Sequence, residues 1–357
     1  MIDITNYPNK IYHPGVFIKD DLEALNMTSK EFSVRTNISE RTLSALINGK
    51  GNITFDIATK LANYFHQSPE TWMNLQIMYD QYRFKKQFEK EIKNDYHFIK
   101  PYLSFFEDNH IINKNDNQKT VVEKIRNELN VNQLTSLKTS KDAFVCFSQN
   151  DNDIESDYVA KNIWVTYSLA KARQNMEVAS YKRNALLKEL QNIKTLIVEQ
   201  PQNLLNHLTN ILSKCGVIFV FLPPLHESRL LGLTKWLNKN VVVVAMTSFT
   251  KTADEFWFTF FHEISHVLME HKRYFLLLDS LQEDEEAITI QERLLFPYEA
   301  WLSFAMKQKY DAKNIAEFAE QINILPCLVT RLLKRYGLID DKSVLIDEIS
   351  YKEYLDN

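Results

Sequence analysis

The chain has 357 residues, 45% of them apolar, 25% charged and 12% aromatic, with only six Gly, nine Pro and three Cys. Such a length holds about two or three domains, each able to bury a core. Gly falls far below its average usage of roughly 7%, which argues against a dinucleotide fold, a collagen or a Gly-punctuated sandwich and leaves a helix-rich protein. With 42 basic and 46 acidic residues the net charge is −4, so no global field draws the chain toward nucleic acid or anionic lipid. Any DNA binding must rest on a local patch. Cys146, Cys215 and Cys327 are scattered and odd in number, which fits a reducing cytoplasm and no disulfide framework. No signal-peptide pattern opens the sequence, and the longest apolar runs, 217–222 and 241–246, are of strand length. The expectation is a cytoplasmic protein without a membrane partner.

Residues 13–78 read as short amphipathic helices, punctuated by Asn26, Asn37, Gly49, Gly51 and Ser68-Pro69. Interleaved aromatic and charged residues over 79–100 predict a connecting helix, and the polar stretch 107–119 a linker. Helical periodicity resumes at 121–129, 156–173, 180–198 and 202–214. Two β-branched runs, 217–222 and 241–246, predict strands. Helices are expected at 254–272 and 283–295, and two shorter ones between 312 and 336. The reading divides the chain into residues 1–78, a connection at 79–119, a helical middle at 120–214 and a C-terminal domain at 215–357. Its fold class is mainly α, of α+β type, with a small C-terminal sheet.

Residues 28–50 have the form of two helices joined by a tight turn. Asn37 occupies the turn, where a residue tolerating positive φ is needed. Ile38 fills the angle between the helices, Ser39 is the expected N-cap of the second, and Gly49 ends it. Leu43 and Leu46 face inward, which points Glu40, Arg41, Ser44 and Ala45 outward near a helix N-terminus, where a recognition helix meets base edges.

Together with residues 13–22 (His-Pro-Gly-Val-Phe-Ile-Lys-Asp-Asp-Leu) and 53–62 (Ile-Thr-Phe-Asp-Ile-Ala-Thr-Lys-Leu-Ala), this motif resembles the HigA-type antitoxin branch of the Cro/repressor helix-turn-helix family. The resemblance implies a five-helix domain that dimerises on a palindromic double-stranded DNA operator. It assigns base contacts to Ser39, Arg41, Thr42 and Ser44, and phosphate contacts to Ser29, Asn48 and Lys50. Residues 1–75 nevertheless contain seven basic and eight acidic residues, a net of −1.

The second signal is Phe-Phe-His-Glu-Ile-Ser-His-Val-Leu at 260–268. His262 and His266 are four apart, so on a helix they share a face and can reach one metal ion. Glu263 lies beside them as a general base for a metal-assisted hydrolysis. Thr252 and Glu255 form a capping box at the helix start. The apolar flanks Trp257, Phe258, Phe261, Val267 and Leu268 predict a buried helix. Two His leave a zinc site incomplete, and the acidic run 283–287 reads equally as the source of a third ligand or as a charged helix N-terminus.

Residues 257–268, the later Glu-Glu-Ala and Leu-Leu-Phe-Pro segment, and residues 229–246 resemble the ImmA/IrrE family of HExxH metallopeptidases, in the long form that carries a HigA-like head. The resemblance implies a zincin-like domain with zinc held by His262, His266 and an acidic residue that falls on Asp284, where the family has Glu. Glu285 and Glu286 are the other candidates. Ile288 stands where the family has a polar residue. His271, Tyr274 and Arg229 are candidates for stabilising an oxyanion. The implied function is a DNA-binding transcriptional regulator, acting in a stress, phage or toxin–antitoxin response by zinc-dependent proteolysis of a partner or repressor. The alternative is an antitoxin-like DNA binder with a toxin partner, whose zinc pocket is a non-catalytic sensor.

Overall fold

A computed structural model of the chain describes residues 11–138, 155–174, 177–225, 228–249, 251–270, 275–279, 285–340, 342, 346 and 348–351. It divides into two compact units, Met1–Asn94 and Asp95–Asn357.

Among the described residues the first unit holds five helices, as expected: α1 (Pro14–Ala24), α2 (Ser29–Thr36), α3 (Glu40–Ile47), α4 (Phe55–Phe65) and most of α5 (Pro69–Ile99). Their starts are written locally. The side chains of His13, Thr28, Ser39 and Thr54 each accept a backbone N–H in the first turn of α1 to α4, and α5 opens on Pro69. Two stops are equally local: Asn37 and His66 adopt left-handed conformations, with φ of 55° and 52°. Ile18, Phe32, Leu43, Leu46, Ala58 and Leu61 are fully buried and form the core, with Ile38 and Trp72 beside them. α5 continues unbroken to Ile99, so the expected connecting helix is an extension of the fifth helix of the head.

The second unit takes in the last residues of α5 and continues with a 3₁₀ turn (Lys100–Tyr102), α6 (Leu103–Asp108), α7 (Gln118–Leu129) and a 3₁₀ turn at Leu134–Lys138. The buried Asp95 carboxylate ties these pieces together. It accepts from Arg126 Nε at 2.8 Å and from the backbone N–H groups of Leu134 and Thr135 at 2.7 and 3.0 Å. Three helices follow: α8 (Glu155–Gln174), α9 (Arg183–Glu199) and α10 (Leu204–Ser213). Then come β1 (Val217–Leu222), β2 (Leu230–Asn238), β3 (Val241–Thr247), α11 (Ala253–Met269), β4 (Phe275–Asp279) and α12 (Glu285–Leu295). The unit closes with α13 (Tyr298–Met306), α14 (Ala312–Gln321) and α15 (Pro326–Arg335).

The strand order is β1-β3-β2-β4, with β1 and β3 parallel and the other two pairs antiparallel. The two strands visible in the sequence, β1 and β3, are buried along nearly their whole length and therefore read as unbroken apolar runs. β2 went unread because Gly232, Thr234 and Lys235 interrupt its pattern, and β4 because it is short. α8, α10 and α11 pack on this sheet. α11 is the centre of the unit: every residue from Phe256 to Leu268 is buried. The chain end locks its first turn, since Tyr351 is fully buried, its hydroxyl accepts from Trp257 Nε1 at 2.9 Å, and Tyr351 N–H donates to Lys251 O at 2.9 Å. No described helix is long and apolar enough to cross a membrane.

Candidate nucleic-acid interface and metal centre

In the head, the turn into α3 is built as the sequence predicts. Ser39 Oγ accepts from Thr42 N–H at 3.1 Å and lies 2.8 Å from Thr42 Oγ1, so these two hydroxyls are tied to each other. Arg41 and Ser44 are exposed on the outer face, with Glu40 beside them. Asn48 Nδ2 donates to Ser44 O at 2.8 Å, while Gly49 and Lys50 N–H groups donate to Leu46 O and Ala45 O. That pairing is a Schellman closure, which leaves the Lys50 side chain exposed just past the helix. Ser29 is exposed at the first position of α2. Nearby charge is partly spent, because Arg35 pairs with Glu31 at 2.8 Å.

A residue whose role sequence reasoning missed holds the head together. His13 Nδ1 accepts from Gly15 N–H at 3.0 Å, so its proton sits on Nε2, which donates to Gly51 O at 2.9 Å. This buried imidazole thus fastens the start of α1 to the loop after α3. Only glycine fits at position 15, since a Cβ there would lie 1.8 Å from Leu46 O. α1 and α3 touch backbone to backbone.

The HExxH helix is α11. Its start is fixed by Glu255, whose Oε2 accepts from Lys251 N–H at 2.9 Å and Thr252 N–H at 3.4 Å. One turn apart, His262 and His266 bring their Nε2 atoms to 3.1 Å from each other. Both rings are buried, with 5% and 4% exposure. Two lone pairs at that distance repel unless a proton or a cation lies between them. Zinc binds imidazole nitrogen at about 2.0–2.1 Å, so two such donors on one tetrahedral ion stand about 3.3 Å apart. The histidine pair fits that requirement.

Glu263 is completely buried against β2. Thr234 Oγ1 donates to its Oε2 at 2.5 Å, while Oε1 has no hydrogen-bond partner among the described residues. Burial pushes the carboxyl up to about 8, against the opposing effect of the Thr234 hydrogen bond. Gly232 makes room for it: a Cβ at that position would lie 2.6 Å from Oε1. On one helix, a buried carboxyl oxygen without a hydrogen-bond partner and two facing imidazoles form a donor set that a metal ion and its water would complete. Neither Gly232 nor Thr234 was named as a site residue from sequence. The available signal was an isolated Gly within an apolar stretch, which marks a close approach of another group.

Among the described residues, no group of three or more His, Cys, Asp or Glu side chains completes a metal cluster. Asp284, the expected third ligand, lies outside the described residues, as do His271 and Tyr274. Glu285 and Glu286 are exposed at the start of α12, which packs on α11. Arg229 is exposed ahead of β2 with φ 53°.

A helix-turn-helix family model matches residues 18–72, and a model of the IrrE N-terminal-like domain, of the M78 peptidase family, matches residues 218–324. The chain is 41% identical over 69 residues to virulence-associated protein A′ of Dichelobacter nodosus, covering 19% of this chain and 60% of that protein. It is 35% identical over 80 residues to antitoxin HigA-1 of Vibrio cholerae, covering 22% of this chain and 71% of that protein. Among solved structures it is similar to an addiction-module antidote protein of the HigA family from Coxiella burnetii. That match has 32% identity and a TM-score of 0.23, and covers 24% of this chain and 95% of the other. The chain belongs to the helix-turn-helix family that includes antitoxin HigA-1, and it joins to that head, in one polypeptide, an IrrE N-terminal-like domain of the M78 peptidase family.

Proposed function

We propose that this protein is a DNA-binding regulator whose C-terminal domain is a zinc-dependent peptidase centre, acting by proteolysis of a partner or repressor in a stress, phage or toxin–antitoxin response. The observation that carries the enzymatic part is the 3.1 Å approach of His262 Nε2 and His266 Nε2 beside the buried Glu263. His262, His266 and Asp284 would hold the ion, which when bound supplies Lewis acidity and an acidified water. Glu263 is the proton acceptor and then the proton donor to the leaving amine. Thr234 and Gly232 fix its position: the hydroxyl holds one carboxyl oxygen, and the missing side chain of Gly232 makes room for the other. The surrounding Phe and Trp side chains of α11 exclude bulk solvent, which strengthens each of these interactions.

The head contributes operator binding through Arg41, Ser44, Ser39 and Thr42, with Ser29, Asn48 and Lys50 on phosphates, as a homodimer on a palindromic site. Arg41→Ala should lower affinity for DNA upstream of its own gene by about 1–3 kcal/mol, measured by fluorescence anisotropy. For the C-terminal centre, zinc content of the full chain is compared among wild type, His262→Ala and Glu263→Gln. The expected result is stoichiometric zinc in wild type and Glu263→Gln, and loss in His262→Ala. A Glu263→Gln chain that holds zinc and keeps every cellular activity sinks the peptidase reading. That outcome selects the second reading, a metal or peptide sensor, which the near-complete enclosure of both histidines favours.

A further inference from the structure

The head has a deficit for a DNA binder, since residues 1–75 sum to −1. Cations collect immediately beyond, on α5 and still inside the first unit. Residues 83–93 contain Arg83, Lys85, Lys86, Lys90 and Lys93 against Glu89 and Glu91. Four of them, Arg83, Lys86, Lys90 and Lys93, follow a 3-4-3 spacing along an unbroken helix. At 3.6 residues per turn they fall within about 80° of its circumference and span about 15 Å of its length. All four are exposed, and the buried Ile92 lies on the opposite side of the helix.

The stripe is not an ordinary solvated face of alternating charge. Arg83 has Asp80 at only 3.9 Å, and among the described residues no carboxylate lies in ion-pair range of Lys86, Lys90 or Lys93. Instead Lys86 lies 4.8 Å above the Tyr82 ring. The neighbours along the stripe are like charges at i,i+3 and i,i+4, an arrangement that destabilises a helix. A polyanion laid along the helix removes that repulsion and releases its own counterions.

From these observations we infer that Arg83, Lys86, Lys90 and Lys93 form a second DNA-binding surface, which takes the phosphate backbone of duplex DNA and adds sequence-independent attraction to that of the helix-turn-helix face. The inference rests on the proposed DNA binding of the head. Charge complementarity selects the occupant: a line of exposed cations about 15 Å long on one side of an unbroken helix suits a continuous row of phosphates.

The test uses the full chain and a random-sequence duplex, with affinity followed between about 50 and 200 mM salt. Arg83, Lys86, Lys90 and Lys93 are changed together to Gln, a good helix former. A control chain carries the same charge change at exposed sites elsewhere, Lys114, Lys239, Lys307 and Lys309 to Gln. Circular dichroism checks that both remain folded. The expected result is a salt slope shallower by about 3 to 4 in the stripe variant, with a change below about 1 in the control. An unchanged slope overturns the inference while leaving operator binding by the head intact. So does an equal loss in both variants, which would trace the effect to net charge. Loss of binding to phosphatidylserine vesicles with the duplex slope unchanged also overturns it, in favour of a membrane surface. A wild-type chain that binds neither this duplex nor its own upstream DNA removes the DNA reading itself, and the inference with it.

Discussion

The two units carry their candidate chemistry in opposite ways. In the head, the candidate DNA-contact side chains stand on the outside of short, individually capped helices, and the core beneath them is ordinary apolar packing. In the C-terminal unit, the candidate chemistry lies inside: His262, Glu263 and His266 sit on a helix with no exposed face, and a strand supplies what the helix cannot. Recognition of a large polymer needs side chains in solvent, whereas proton transfer and metal binding gain from a dry, fixed environment. The head should therefore respond to substitutions one turn at a time. The buried centre should respond through partners distant in sequence.

That contrast can be broken or sharpened by hydrogen exchange resolved over each helix, which reads local stability region by region. The largest loss is expected for Gly15→Ala, about 3 kcal/mol, because its Cβ would meet the Leu46 carbonyl and neither backbone can yield. Protection of α3 should collapse while that of α11 is retained. Tyr351→Phe comes next, at about 2 kcal/mol in α11, since Trp257 Nε1 loses its buried acceptor. Gly232→Ala should cost about 1–2 kcal/mol by displacing the Glu263 carboxylate, and combining it with Glu263→Ala should be clearly less than additive. Strict additivity would mean that β2 does not hold Glu263. Ser39→Ala should remove about 1 kcal/mol, confined to α3, through loss of the cap on Thr42 N–H. Smallest of all, Asn37→Gly should lie within about 0.5 kcal/mol of wild type, because that turn asks only for positive φ.

Much of this protein was legible in its residues alone. The cap at Ser39, the left-handed Asn37, the capping role of Glu255 and the strands β1 and β3 all follow from interactions within a few positions or from unbroken apolar runs. That His262 and His266 share one face was legible for the same reason, because a helix fixes the geometry of i and i+4. The tertiary structure alone decided what surrounds them. It brought Gly232 and Thr234 of β2 onto Glu263, 29 positions away from Thr234, and Tyr351 onto Trp257 from 94 positions away. It also joined His13 to Gly51 across 38. Periodicity records which face of an element is apolar, and capping records where it begins. Neither records which two faces meet, since that is settled by the packing of the whole unit.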